Sequence, residues 1–334
     1  MQDDTGGTPL GPYPKSHIND WPQGTDCWRK FAKLRFQLVY YIYTSAYECH
    51  QSGLGMMRHF IVDDKIFDSK DLYAFEQEYE YLFGDKFLVA PVVAEGATFW
   101  EVYLPTAYNW YQLEGNWIYN DTDGRFRLVT TDLIKGGTSM LVDTPLDILP
   151  LFVKVGTIIP VMDPSVQTLN QPTNSSANII SYYDRINILH LWCFPNENYQ
   201  ANGNLWDGTT FQMYQDSSNN FNPRLDITNL QPPRNIIIVQ IAQLTDPVTA
   251  VANGLNTSQQ LTEVGSWQEV VQITGSESVW AWDAATQVLY VKMINLIMPF
   301  FETTFSIFFI LIFISSAKHF TIKVAWNEIG NFVQ

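Results

Sequence analysis

The hydrophobic pattern of this chain changes period at Gly84, and that change constrains the fold more than any other feature. Upstream, Phe31, Leu34, Leu38, Ile42 and Ala46 recur at three- and four-residue spacing, which lines up one face of an α-helix, with Thr25 or Asp26 placed to cap it. One long amphipathic helix is predicted to about Cys49, broken by Gly53 and Gly55. Met56-Met-Arg-His-Phe-Ile-Val62 then reads as a short buried strand and Leu72 to Phe83 as a second helix. Downstream, short apolar runs such as Phe87-Leu-Val-Ala-Pro-Val-Val93, Trp100-Glu-Val-Tyr-Leu104 and Met140-Leu-Val142 alternate with Gly, Pro, Asn and Asp, the punctuation of strands and turns. The same holds for 186–194, 236–241, 288–291 and 320–324, beyond a stretch rich in Pro, Ser, Thr and Asn.

These patterns predict an α+β multidomain chain. Residues 1–84 read as a helix–strand–helix tail in keeping with the end of an α/β barrel, 85–163 as a first β domain, 164–178 as a linker and 179–334 as a second β domain. Length agrees, because 334 residues exceed the size at which one hydrophobic core stops growing, roughly 250–300 residues. With 46% hydrophobic and 16% charged residues the chain can bury such cores.

Charge excludes some partners. Against 34 Asp and Glu stand 19 Lys and Arg, and a net charge of −15 repels phosphate backbones and anionic lipid, so neither nucleic acid nor a membrane surface is an expected partner. Cys27, Cys49 and Cys193 are widely spaced, with no CxxC and no accompanying His pair, which indicates buried thiols and neither a disulfide framework nor a metal site. No cofactor motif is present. Asn120-Asp-Thr122, Asn174-Ser-Ser176 and Asn256-Thr-Ser258 fit N-glycosylation acceptors and weakly favour a secretory, lysosomal or extracellular setting. The start, Met1-Gln-Asp-Asp-Thr-Gly-Gly7, has no signal-peptide pattern.

Three segments resemble glycoside hydrolase family 31, the α-glucosidase and α-xylosidase group. Leu34-Arg-Phe-Gln-Leu-Val-Tyr-Tyr-Ile-Tyr-Thr-Ser-Ala-Tyr-Glu48 with Gly55-Met-Met-Arg-His-Phe60 is similar to that family's "R..LLPYLYT...EAH..G.PVMRPLF", with Tyr40 and His59 where Pro is usual. Tyr81-Leu-Phe-Gly-Asp-Lys-Phe-Leu-Val-Ala-Pro-Val92 with Tyr103-Leu-Pro105 is similar to "QF..GD.LLVAPV...G......YLP". Thr144-Pro-Leu-Asp-Ile-Leu-Pro-Leu-Phe-Val-Lys-Val-Gly-Thr-Ile-Ile-Pro160 is similar to "APLD.IPVFVR.GAIIP". The resemblance covers 30–160. It implies the C-terminal remnant of a (β/α)8 barrel followed by two β-sandwiches, and a retaining, exo-acting α-glycosidase that works on α-linked oligosaccharides or glycosides with one carboxylate as nucleophile and another as acid/base. The family's W-x-D-M-N/S-E motif and later G-D, which carry those acids, do not occur here, so the nucleophile and acid/base are expected upstream of this chain. A non-catalytic carbohydrate-binding or structural β module is the alternative reading.

His17, in Gly11-Pro-Tyr-Pro-Lys-Ser-His17, resembles the His of "G.F.PF.R.H", whose imidazole hydrogen-bonds sugar hydroxyls in the family; Lys15 replaces the Arg. It is the candidate substrate-binding residue, beside a polar-loop reading of the same position. Asp3-Asp-Thr-Gly-Gly7 is similar to "G.D.GGF", at a shortened distance from His17. Asp63-Asp64 and Asp68 with Asp71 read as solvated loop carboxylates, and Trp206-Asp-Gly208 and Trp280-Ala-Trp282 as sugar platforms or core.

Residues 293–316 hold six Phe and six Ile among 24, with Glu302 the one charge between Lys292 and Lys318. The reading favoured by composition is a foreign stretch, such as an unspliced intron, within the second β domain; a buried strand pair and a membrane anchor, too short for the roughly 20 apolar residues of a span, are the alternatives.

Overall fold

The structure, a computed structural model, describes residues 22–113, 117–122, 124–128, 133–171, 179–216, 222–231, 234, 236–242, 249–253, 258–260, 262–263, 265–266, 269–270, 279–283, 288–293, 307–314 and 318–326. Among them the content is mostly β-strand, preceded by a helical stretch.

The long helix forms in two pieces, Pro22–Gln37 and Val39–Ser52. Pro22 opens it at a position whose N–H has no intrahelical partner. The ladder runs through the junction, Leu38 N–H to Leu34 O at 2.9 Å and Ile42 N–H to Leu38 O at 2.8 Å, yet Leu38 sits at ψ 1°. A cause is visible at Gln37. Its carbonyl accepts from Met162 N–H at 2.8 Å, and its buried side chain donates to Gly124 O at 2.8 Å, so the junction falls where the helix serves the residue after strand Thr157–Val161 and the turn before Arg125–Leu128. One buried face runs through the junction, Leu34, Gln37, Leu38, Tyr41, Thr44 and Ser45 with Tyr40 beside it, while Ala46 of the predicted stripe is exposed. Gly53, left-handed at φ 77°, ends the helix with its N–H on Cys49 O.

The next stretch departs from the expectation of a strand followed by a helix to Phe83. Only Met57–Arg58 is strand, Phe60–Val62 is a 3₁₀ turn, Asp64–Asp68 and Leu72–Phe75 are short helical turns, and Tyr81–Phe83 is a strand. Pairing decides this: Arg58 lies opposite Leu82 and Met57 opposite Phe83, antiparallel, and Leu82 is fully buried. Met57–Arg58, Tyr81–Phe83, Phe87–Val89, Leu151–Lys154 and Trp110–Gln112 form one antiparallel sheet in that order. Phe99–Leu104 with Thr138–Asp143 form a separate antiparallel pair of strands distant in sequence, and Trp117–Asn120 with Arg125–Leu128 form a hairpin.

A second sheet of thirteen described strands curls through the rest of the chain. Thr157–Val161, the end of the third motif, pairs antiparallel with Ile188–Phe194, so the boundary drawn at 163 falls between two neighbouring strands of one sheet. Ile188–Phe194 runs parallel to Ile236–Ile241, which continues into Val288–Met293 and Val279–Asp283. On the other side follow Ala201–Asn204, Thr210–Asp216, Asn222–Leu230, Lys318–Trp326, Ile307–Ile314, Thr249–Asn253 and Ser258–Gln260. Part of the apolar run is therefore a strand, Ile307–Ile314, paired with Lys318–Trp326 and with Thr249–Asn253; 294–306 and 315–317 lie outside the described residues. Its flanking strands, Val288–Met293 and Lys318–Trp326, sit in different halves of the sheet and are not a hairpin.

The described part of the linker is fastened at both ends. Gln167 N–H reaches Ile180 O and Tyr182 N–H reaches Thr168 O, each at 2.8 Å, and Val166 is buried. Residues 172–178 lie outside the described residues.

Candidate functional site

A cleft of about 760 Å³ opens where the end of helix Val39–Ser52 meets strand Met57–Arg58, the Gly84 turn and the turn joining Ala201–Asn204 to Thr210–Asp216. The helix contributes Tyr47, Glu48 and Gln51, the strand Arg58, the Gly84 turn Asp85, and the far turn Asn204, Trp206 and Asp207. The walls are tied together by Asn204 Nδ2, which donates to Glu48 Oε1 at 2.8 Å across 156 residues of sequence.

Trp206 is held on one side of this cleft by an aromatic and cationic stack. Its ring meets Tyr43 edge-on at 4.8 Å and Tyr40 at 5.6 Å, and the Arg234 guanidinium lies 5.6 Å from both the Trp206 and Tyr40 rings. Arg234 also donates to Asp207 Oδ2, whose other oxygen accepts from Thr209 N–H at 3.0 Å. The other side is less satisfied. Arg58 Nε and Asp85 Oδ1 are both out of solvent and neither has a hydrogen-bond partner among the described residues. The cleft thus sets polar and charged residues beside an indole that is only partly buried.

The carboxylates singled out in the sequence are used elsewhere. Asp63 caps the Asp64–Asp68 turn through Ile66 N–H, accepts from the Tyr108 hydroxyl, and pairs with Lys154 Nζ at 2.8 Å; the ammonium also stands 3.8 Å over the Tyr108 ring. Burial alone would raise the Asp63 carboxyl, but Lys154 and these donors outweigh it and hold it below the usual carboxylate range. Asp71 likewise accepts from Ala74 N–H, the Tyr103 hydroxyl, and both the amide and the hydroxyl of Thr106. Both residues staple the 59–76 segment onto the β-sheet. Asp64 and Asp68 are exposed. Trp280 is 1% exposed and is core; the Trp282 side chain, like His17, Lys15 and the Asp3-Asp4 pair, lies outside the described residues.

Two further buried groups stand apart from the cleft. Glu80 accepts from Tyr103 N–H at 2.8 Å through one oxygen and leaves the other unpaired, and burial pushes its carboxyl up to about 7. Asp163 pairs with His190 in the second sheet. No group of three or more His, Cys, Asp or Glu among the described residues is arranged to hold a metal ion, and no described helix is long and apolar enough to cross a membrane.

Sequence reasoning touched Glu48, Arg58 and Asp85 only as letters of the first two motifs, and did not connect them to Asn204 or Asp207. The available signal was that these are polar residues inside otherwise apolar motif segments; what joins them is tertiary contact with a turn far along the chain.

Comparison with known proteins finds a family match for part of the chain. Residues 53–159 match the glycosyl hydrolase family 31 C-terminal domain. An α-xylosidase of Saccharolobus solfataricus is 29% identical over 169 residues, 51% of this chain and 19% of that enzyme, so the chain spans less than a fifth of its length. Among solved structures, the cycloalternan-forming enzyme of Listeria monocytogenes in complex with a pentasaccharide substrate aligns over 86% of this chain and 24% of its own, at 21% identity and a TM-score of 0.61. A Flavobacterium johnsoniae family 31 dextranase complexed with glucose covers 87% of this chain and 33% of its own, at 22% identity and 0.57. Both share the fold. The motif segments, the matched domain and the α-xylosidase agree, and residues 53–159 of this chain are similar to the C-terminal domain of glycosyl hydrolase family 31.

Proposed function

We propose that this chain is part of a retaining, exo-acting α-glycosidase that hydrolyses O-glycosyl bonds of α-linked oligosaccharides or glycosides, and that the two catalytic carboxylates lie outside it. The observation that carries the reading is the family 31 C-terminal domain over 53–159. Retaining hydrolysis needs two carboxyl groups about 5–5.5 Å apart across one anomeric carbon. Asp63 and Asp71, the loop carboxylates with the most suggestive sequence setting, each serve several protein donors instead, which supports a scaffolding role for this part. In the same reading 1–84 closes a (β/α)8 barrel, 85–163 and 179–334 are the two β-sandwiches, and His17 hydrogen-bonds sugar hydroxyls. The same reading has Asn120 carry a glycan in a secretory setting, supported by its exposure at the end of a hairpin strand, where its side chain accepts from Thr122 N–H at 2.9 Å.

The test is turnover of nitrophenyl α-glucoside and α-xyloside by the purified chain. None above a boiled control is expected. Turnover abolished by changing a carboxylate within residues 22–326 would overturn the assignment of the acids to another part of the enzyme.

A further inference from the structure

We infer that Glu80 is a pH-operated latch: protonated, it holds the end of segment 59–80 on the open edge of strand Phe99–Leu104, and ionised, it lets go. The inference stands on the geometry around Glu80 and does not draw on the proposed function.

Strand Phe99–Leu104 pairs along one edge with Thr138–Asp143 and, among the described residues, with no strand along the other. Glu80 takes the place of a neighbour there, with Oε1 accepting from Tyr103 N–H at 2.8 Å. The residue is buried, and Oε2 has no hydrogen-bond partner among the described residues. A neutral carboxyl loses little in such a place. A carboxylate gives up its water there for a single donor, so ionisation favours the conformers in which the side chain swings back to solvent.

The surroundings do not offset that cost. Glu101 on the same strand is a like charge, and the groups that meet Tyr103 from the helical turns are Asp71, which accepts from its hydroxyl, and Tyr73, whose ring lies 5.9 Å from its ring. None is a cation, and among the described residues no ion pair joins Glu80 to Lys, Arg or His. Burial and Glu101, against the Tyr103 N–H, push the carboxyl up to about 7, so the latch works around neutral pH.

The rest of the segment is fastened by ties that do not follow this proton. Asp71 and Asp63 are held below the usual carboxylate range by their donors and, at Asp63, by Lys154, and both stay ionised across neutral pH. His59 Nδ1 accepts from Ile61 N–H, so Nε2 carries the proton donated to Gln77 O at 2.9 Å, a bond the ring keeps when charged. Beyond Glu80, Tyr81–Phe83 is paired on both sides, with Met57–Arg58 and Phe87–Val89. Movement is thereby confined to 78–80, where Glu78 and Tyr79 are already exposed. In the motif "QF..GD" that this stretch resembles, the position of Glu80 holds Gln, which accepts the same hydrogen bond and cannot ionise.

Hydrogen exchange of the intact 334-residue chain from pH about 5 to pH about 8, each rate corrected for the intrinsic pH dependence of amide exchange, tests this. Protection of the Tyr103 amide is expected to fall by about tenfold or more across that range, the consequence of a carboxyl that ionises more readily once released. At both ends of the range it should lie below the protection of Met213, buried in a strand of the second sheet that is paired on both sides, which identifies the opening as local. Glu80→Gln should abolish the fall, and Glu101→Gln, changed at an exposed position, should reduce it. Protection at Tyr103 that is independent of pH, that equals Met213 throughout, or that falls as much in Glu80→Gln would overturn the latch. Should Glu80→Gln not fold, the wild-type contrast between Tyr103 and Met213 and the smaller fall in Glu101→Gln decide it.

Discussion

Asp163 Oδ2 and His190 Nε2 meet at 3.0 Å inside the second sheet, with both side chains at or below 6% exposure. Burial by itself would raise the Asp163 carboxyl. The hydrogen bond and charge of His190, with the hydroxyl and amide of Ser165, outweigh burial and hold it well below the usual carboxylate range. This pair joins the residue just before the predicted linker to strand Ile188–Phe194.

A carboxyl whose folded pKa is depressed stabilises the fold above its unfolded pKa and loses that contribution as pH falls through the folded value. The expected outcome for Asp163→Asn is therefore a loss at neutral pH of about 3–5 kcal/mol, the usual cost of leaving one partner of a buried pair alone. The gap between variant and wild type should narrow below about pH 4, where the unfolded carboxyl takes up its proton. Denaturant unfolding followed from neutral to acid pH measures both; a gap independent of pH would show that Asp163 acts by packing alone.

Glu80 carries the opposite sign. Burial, opposed by the Tyr103 N–H and reinforced by Glu101, pushes its carboxyl up to about 7. A carboxyl raised in the folded state costs stability when ionised, so the fold should weaken as pH rises from the ordinary carboxylate range through about 7. Glu80→Gln keeps an oxygen for Tyr103 N–H and removes the ionisation, and is expected to gain on the order of 2–3 kcal/mol at pH about 8 while changing little at pH about 4. Thermal melts at the two pH values check it; equal shifts at both would remove ionisation as the cause.

Legibility followed the physics of each element. The strands at Trp100–Leu104, Ile188–Phe194 and Ile236–Ile241 were readable because short apolar runs between turn residues admit little else, and the helix end at Gly53 because its left-handed φ suits glycine. The expectation of helix from Leu72 to Phe83 fails at Tyr81–Phe83, where antiparallel pairing with Met57–Arg58 decides, and no local pattern reports a partner strand. Likewise the bend at Leu38 depends on Met162 and Gly124, and the cleft on Asn204 and Trp206 meeting the end of the helix. The family was legible through motif segments, whereas the site at their meeting point needed the third dimension.

Gly84 shows how closely the helix and the first sheet fit. It stands at φ 63°, and a Cβ built there would lie 2.0 Å from Tyr41 Oη, which donates to Phe83 O at 2.7 Å and accepts from Lys86 N–H at 3.3 Å. Gly84→Ala must strain the turn and push Tyr41 off both bonds, with an expected loss of about 2–4 kcal/mol from overpacking and positive φ together. Adding Tyr41→Phe removes the closest atom and should restore part of the loss, although Ser45 Oγ at 2.8 Å from the same Cβ limits the recovery. Additive losses in the double variant, read from unfolding midpoints, would refute the clash.

The apolar run gives the last prediction. Ile307–Ile314 pairs residue for residue with Lys318–Ala325 and, over Leu311–Phe313, with Thr249–Val251, so it fills a place between two strands. Removing it exposes one unpaired edge on Lys318–Trp326 and another on Thr249–Asn253, and open strand edges are templates for aggregation. The two strands that a deletion of 294–317 would splice together, Val288–Met293 and Lys318–Trp326, stand in different halves of the sheet, a separation that a short turn does not span. Soluble yield of the deletion variant is therefore expected to fall, with loss of the cooperative melt of the second sheet. A rise in yield with the melt retained would mark 293–316 as foreign to the fold, since only a sheet that closes without Ile307–Ile314 tolerates its loss.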